Sequence, residues 1–117
     1  MSKSILIVDD NPNMSALLSE MLEIFDYESV QAEDGPQALE KLQAGEFAMV
    51  ISDLRMPNMT GLELLQKVKA QYPDMPVVII SGYNMTVGET ADDPQPDGFL
   101  AKPFMMADVE KLLGELL

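Results

Sequence analysis

Asp9, Asp10, Asp53, Ser81 and Lys102 are the residues best suited to chemistry, because each follows or ends a short apolar run. Asp9 and Asp10 follow Ser-Ile-Leu-Ile-Val, and Asp53 closes the run that begins at Phe47. Ser81 follows Pro-Val-Val-Ile-Ile, and Lys102 follows Gly-Phe-Leu-Ala. If these runs are parallel strands, their carboxyl ends lie on one side of a sheet, and the groups converge without being close in sequence. Three carboxylates brought together repel one another and should recruit Mg2+ through hard oxygen ligands. A metal, an ammonium and a hydroxyl around one carboxylate are what phosphoryl transfer needs. The metal and Lys102 would offset charge on the transferring oxygens, and Ser81 could donate a hydrogen bond. Singly, the residues say less. Asp53 alone reads as the start of a turn, Ser81 as a helix cap and Lys102 as an exposed turn residue. One of Asp9 and Asp10 reads as a helix start, but hardly both. The set is more specific than its parts.

The elements that must position these groups alternate along the chain. Residues 4–8 form a β-branched run of the kind found in strands buried on both faces. Asn11 is a good helix N-cap with Pro12 at the first helical position. Met14, Leu17, Leu18, Met21, Leu22 and Phe25 then recur at helical spacing, which lays the first helix against a sheet. Residues 27–32 read as a more polar strand at a sheet edge. Asp34 and Gln37 stand at capping-box spacing and open a second helix to about Gln43, closed by Gly45. Residues 47–52 form the central strand. A tight turn with Pro57 and Gly61 follows it. Thr60 and Glu63 form another capping box, and Leu62, Leu65 and Val68 carry the apolar face of a third helix that ends at Tyr72. Residues 76–80 are the most apolar strand. Between Ser81 and Phe99 the pattern is irregular: Met85 and Val87 suit a helical turn, but Gly88, Pro94 and Pro96 break it. A short or irregular fourth helix with an acidic loop is expected there. Residues 98–101 form a fifth strand. Val109, Leu112, Leu113 and Leu116 define a last amphipathic helix, with Asp108 and Glu110 near its positive end. Five strands alternating with helices imply a doubly wound parallel sheet covered on both faces.

Composition narrows the function further. At 117 residues the chain is one domain, residues 1–117, with no repeat or linker. No apolar run approaches the roughly 20 residues that span a membrane, and the N-terminus lacks a signal-peptide pattern. Without cysteine there is neither a disulfide framework nor a thiolate metal site, and a cytoplasmic location is expected. Seven Lys+Arg against twenty Asp+Glu leave a net charge of −13, which repels a phosphate backbone and argues against direct nucleic-acid binding. With no histidine, the chain cannot build a Ser-His-Asp triad, a His-ligated zinc or a phosphohistidine of its own. Any phosphoryl donor must come from outside.

Together these pieces resemble the receiver domain of two-component response regulators, of the chemotaxis-regulator kind. The matching residues are Val8-Asp9-Asp10, Asp53 with Met56-Pro57 and Gly61, Ser81-Gly82, and Phe99-Leu100-Ala101-Lys102-Pro103-Phe104. Their order spans essentially the whole chain. The resemblance implies a flavodoxin-like fold with strand order 2-1-3-4-5 and Asp53 as phosphoacceptor. The phosphoryl donor is then a histidine on a sensor histidine kinase or a phosphotransfer protein. It further implies Mg2+ held by Asp10, Asp53 and the backbone carbonyl of Arg55, with Asp9 acting mainly through a metal-bound water. Lys102 would contact the phosphoryl oxygens. Ser81 would move toward the phosphoryl group and Phe99 would rotate inward, shifting the face of the fourth helix, fifth strand and last helix toward an unidentified downstream effector. Arg55 and Tyr83 occupy the two positions that tune phosphoryl lifetime, and their bulk implies a long-lived phosphoaspartate. Lys102-Pro103 is expected to be a cis peptide, as is usual in the family. The irregular stretch after Ser81 departs from the family pattern and puts the usual output surface in question. The domain is expected to act as a signalling phosphoacceptor, not an enzyme, with at most self-phosphorylation from small donors and slow loss of the group.

Three other readings compete. A flavodoxin-like electron carrier would need a Ser/Thr/Gly-rich phosphate loop where this chain has Asp-Asp-Asn-Pro. An aspartyl phosphatase of the haloacid dehalogenase group would need Asp-x-Asp after its first strand. A receiver-like module that is never phosphorylated would not need the full acidic set.

Overall fold

The chain forms five parallel strands, and period-two alternation along the three most apolar ones feeds two separate cores. A computed structural model describes residues 4–56, 58–81, 96–102 and 104–117. In chain order the elements are β1 (Ser4–Val8), α1 (Pro12–Ile24), β2 (Glu28–Ala32), α2 (Gly35–Ala44), β3 (Met49–Asp53), α3 (Gly61–Gln71), β4 (Val77–Ser81), β5 (Gly98–Ala101) and α4 (Met106–Leu116). The sheet order is β2-β1-β3-β4-β5, every pairing is parallel, and the fold is the expected doubly wound, flavodoxin-like one. The expected fourth helix, with Met85 and Val87, lies outside the described residues; α4 is the last helix of the sequence reading. Tyr83, Pro57, Gly82, Pro103 and the expected cis peptide also fall outside.

Ile5, Ile7, Met49, Ile51, Val78, Ile80 and Leu100 point to one face, where Leu18 and Leu22 of α1 and Val109, Leu112 and Leu113 of α4 cover them. Leu6, Val8, Val50, Val77 and Ile79 point to the other, under Ala38 and Leu42 of α2 and Leu64, Leu65 and Val68 of α3. Burying β1, β3 and β4 on both faces explains their largely apolar sequences. Polar β2 lies at one edge of the sheet, as expected. Among the described residues, no helix is long and apolar enough to cross a membrane.

The caps follow the sequence closely. Asn11 accepts the Asn13 N–H at 3.0 Å, Asp34 accepts the Gln37 N–H at 2.9 Å, and Thr60 accepts the Glu63 N–H at 3.2 Å. Four local readings need correction. Leu17 does not face the sheet and is 43 % exposed, because α1 seats along Ser15, Leu18 and Leu22 and turns Leu17 onto its flank. Gly45 ends α2 in extended backbone, with φ −149°, so no left-handed cap closes that helix. The Gln37 side chain reaches back to the Glu33 N–H at 3.1 Å, one residue before the N-cap, so the capping box at Asp34 is incomplete. Finally, β3 starts at Met49, and Phe47 packs beside the α2–α3 core instead of pairing.

Candidate functional site

Register brings the strand ends level. Val8 pairs with Ser52, so the next residues, Asp9 and Asp53, stand side by side at the carboxyl ends of β1 and β3. Asp53 is level with Ile80, and Ile80 with Leu100. Asp9, Asp53 and Lys102 all continue the alternation of Ile7, Ile51 and Leu100, so they leave the sheet on the face of α1 and α4. Between β1 and β3 the chain winds off in opposite directions, and this switch point is where ligands bind open α/β sheets.

Asp9, Asp10 and Asp53 each offer one carboxylate oxygen, and the three atoms lie within 4.8 Å of one another. Lys102 Nζ sits 3.5 Å from Asp53 Oδ2. Asp9 is 3 % exposed and Asp53 9 % exposed, whereas Asp10 lies at the surface. The Asp9 Oδ1 atom accepts the Asn11 N–H at 2.9 Å, but its Oδ2 is buried with no hydrogen-bond partner among the described residues. Burial pushes the Asp9 carboxyl above its ordinary value of 3.8; the Asn11 N–H opposes this, Asp53 adds to it, Lys102 opposes and Asp10 adds. An orphaned buried oxygen beside two further carboxylates is an acceptor-only donor set. It fits a hard divalent cation of the Mg2+ class.

The backbone under Asp53 is also held. Ser52, fully buried, donates its hydroxyl to the Asp53 carbonyl at 2.9 Å and lies 3.9 Å from Met56 Sδ. Gly61 packs on the same carbonyl: a Cβ there would fall 2.5 Å from Asp53 O and 2.9 Å from Leu54 Cα. Only glycine fits that approach. Sequence reasoning missed Ser52, whose signal was a lone hydroxyl inside an apolar strand. A cavity of about 180 Å3 lined by Asp9, Asp10, Ser15, Gln31, Glu33 and Gln37 opens beside the carboxylates.

The structure therefore brings Asp9, Asp10, Asp53 and Lys102 together. Ser81 is buried at the end of β4, level with Ala101, and Arg55 is exposed two residues beyond Asp53. Phe99 on edge strand β5 is 49 % exposed, away from the cluster. Tyr83 lies outside the described residues.

The family profile of the response regulator receiver domain matches residues 5–114. The chain belongs to that family. Among curated relatives of this receiver domain, the response regulator receiver protein CpdR of Brucella abortus is 31 % identical over 116 residues, covering 98 % of this chain and 97 % of that one. The transcriptional regulatory protein ZraR of Klebsiella oxytoca is 34 % identical over 116 residues, and the match spans 97 % of this chain but 26 % of that protein. Among solved structures, the chemotaxis protein CheY4 of Vibrio cholerae superposes with a TM-score of 0.90 at 31 % identity over 100 % of both chains. The response regulator TrrA of Thermotoga maritima, solved in complex with Mg2+-BeF, gives 0.89 at 31 % identity over 98 % of this chain and 99 % of that one. As a receiver domain the protein is a signalling phosphoacceptor of two-component systems, and its phosphodonor is a histidine kinase. Its acidic pocket of Asp9, Asp10 and Asp53 is consistent with Mg2+-dependent phosphorylation of an aspartate. The electron-carrier and phosphatase alternatives fall with that assignment.

Proposed function

We propose that residues 1–117 form one receiver domain in which Asp53 takes a phosphoryl group from a phosphohistidine of a partner kinase or phosphotransfer protein. An Asp53 carboxylate oxygen forms the new P–O bond as the P–N bond breaks, and the departing imidazole nitrogen keeps the electron pair. The observation that carries this reading is the convergence of three carboxylate oxygens within 4.8 Å, with an ammonium 3.5 Å from the central one. Asp9, Asp10, Asp53 and the carbonyl of Arg55 would hold Mg2+, which supplies positive charge against the phosphoryl oxygens. Lys102 offsets charge from the other side and keeps the Asp53 carboxylate oriented. Ser81 donates its hydroxyl to the phosphoryl group once formed. Phe99 then turns inward, and the surface of β5 and α4 changes for a downstream effector. Arg55 and Tyr83 restrict the attacking water, so the phosphoaspartate persists. Composition supports a cytoplasmic chain that acts without direct nucleic-acid contact, given its net charge of −13.

Intact mass after incubation with acetyl phosphate tests this. A Mg2+-dependent gain of one phosphoryl group, absent in Asp53→Asn, is the expected result. No adduct on the native chain, with no response to beryllofluoride, would overturn it in favour of a module that works without phosphorylation.

A further inference from the structure

The loop from β3 to α3 begins at Asp53, passes Arg55 and ends at Gly61. Its near side is tied to its own strand: the Gly61 N–H donates to the Leu54 carbonyl at 2.8 Å, and Gly61 abuts the Asp53 carbonyl. Its far side is tied to α2. Asn58 sits at φ 73°, in the left-handed region that Asn tolerates better than most residues, and its Nδ2 donates to Asp34 Oδ2 at 3.1 Å. The other oxygen of Asp34 caps α2 by accepting the Gln37 N–H at 2.9 Å. Next to this pair the Met59 side chain lies so close over Gly35 that a Cβ on Gly35 would come within 2.5 Å of Met59 Sδ. The loop is thus gripped between the end of β3 and the first turn of α2.

We infer that Asn58 and Asp34 are positioning residues for the cation, an assignment that deepens the proposed Mg2+ site and rests on it. Neither belongs to the carboxylate cluster. Mg2+ demands near-octahedral geometry, so a loop that contributes both Asp53 and a backbone carbonyl must be preset, and partners behind the ligands do that presetting. A rigid helix N-terminus is a better anchor than the loop's own flexible side chains. Asn58 both adopts the turn's backbone shape and fastens it, while Asp34 joins the loop to α2 with one carboxylate serving two bonds.

The test titrates Mg2+ alone calorimetrically and follows the Gly61 amide by hydrogen exchange in metal-free protein. The proteins are the full native chain, Asn58→Gly, Asp34→Ser and the double variant. Glycine keeps the left-handed backbone and serine keeps the helix cap, so each deletes mainly the bond between them. Each single variant should bind Mg2+ about fivefold more weakly, the scale of one net hydrogen bond, and exchange Gly61 faster. The double variant should be no worse than the weaker single one. Native-like affinity in Asn58→Gly would overturn the proposal, whether or not exchange changes, because the pair would then serve the fold alone. Weakened affinity with native exchange, or additive losses in the double variant, would overturn it as well. Absence of Mg2+ binding by the native chain would overturn the phosphoacceptor reading and this proposal with it, an outcome distinct from native-like binding by the variants.

Discussion

Lys102 Nζ lies 3.5 Å from Asp53 Oδ2 although 49 residues separate the two in the chain. The contact is half-open, with the lysine side chain 31 % exposed, so its value lies in orienting and neutralising the carboxylate more than in holding the fold. Replacing Lys102 by Ala should slow phosphorylation by acetyl phosphate by about a hundredfold, the scale of removing one preorganised charge-stabilising donor. Folding stability should change by less than about 1 kcal/mol. Timed intact-mass spectra beside urea unfolding curves check both halves.

Asp9 should make the metal-free fold pH-sensitive in a defined direction. Its carboxyl is raised above 3.8 by burial, so the folded state holds that proton more tightly than the unfolded chain does. The stability this confers is fully present below 3.8 and is lost as pH rises through the folded-state value. Above that folded-state value the buried carboxylate, with its orphaned oxygen, destabilises the fold. Asp9→Asn should therefore stabilise metal-free protein by on the order of 1 kcal/mol, with the gain vanishing under acid conditions. Mg2+ should narrow or reverse the difference, because it stabilises the native chain by binding the folded state. Urea midpoints across pH, with and without Mg2+, measure this.

Gly61→Ala puts a methyl group against backbone on two sides, the Asp53 carbonyl and the Leu54 Cα, where no side chain can yield. The end of β3 or the start of α3 must shift. A loss of about 1–3 kcal/mol is expected from such overpacking, together with slower phosphorylation because the displaced atoms carry Asp53. Denaturation with parallel mass spectrometry would show whether the two effects move together.

Arg55 is exposed two residues beyond Asp53, and the proposed long-lived phosphoaspartate rests on its bulk restricting the attacking water. Arg55→Ala should shorten the phosphoaspartate lifetime several-fold, with little change in the rate of its formation. Loss of the phosphoryl mass after donor removal, followed over time, is the measurement.

The residues alone determined the alternation of strands and helices, because a strand buried on both faces is mostly apolar and α1, α2 and α3 carry their N-cap side chains in the chain. They also pointed to Asp9, Asp10, Asp53 and Lys102 as groups that could meet, since a polar residue that ends an apolar run stands at a strand's carboxyl end. Tertiary structure decided what depends on pairing between distant segments. Register and alternation, not spacing, put Asp9, Asp53 and Lys102 on one face of the sheet. The seating of α1 turned Leu17 outward, because a helix covers a sheet along a narrower stripe than its apolar spacing suggests. The orphaned oxygen of Asp9, the approach of Gly61 to the Asp53 carbonyl and the bond from Asn58 to Asp34 exist only once β1, β3 and α2 are packed. Local pattern encodes which elements form. The distances between their ends follow from packing, and on those distances the chemistry depends.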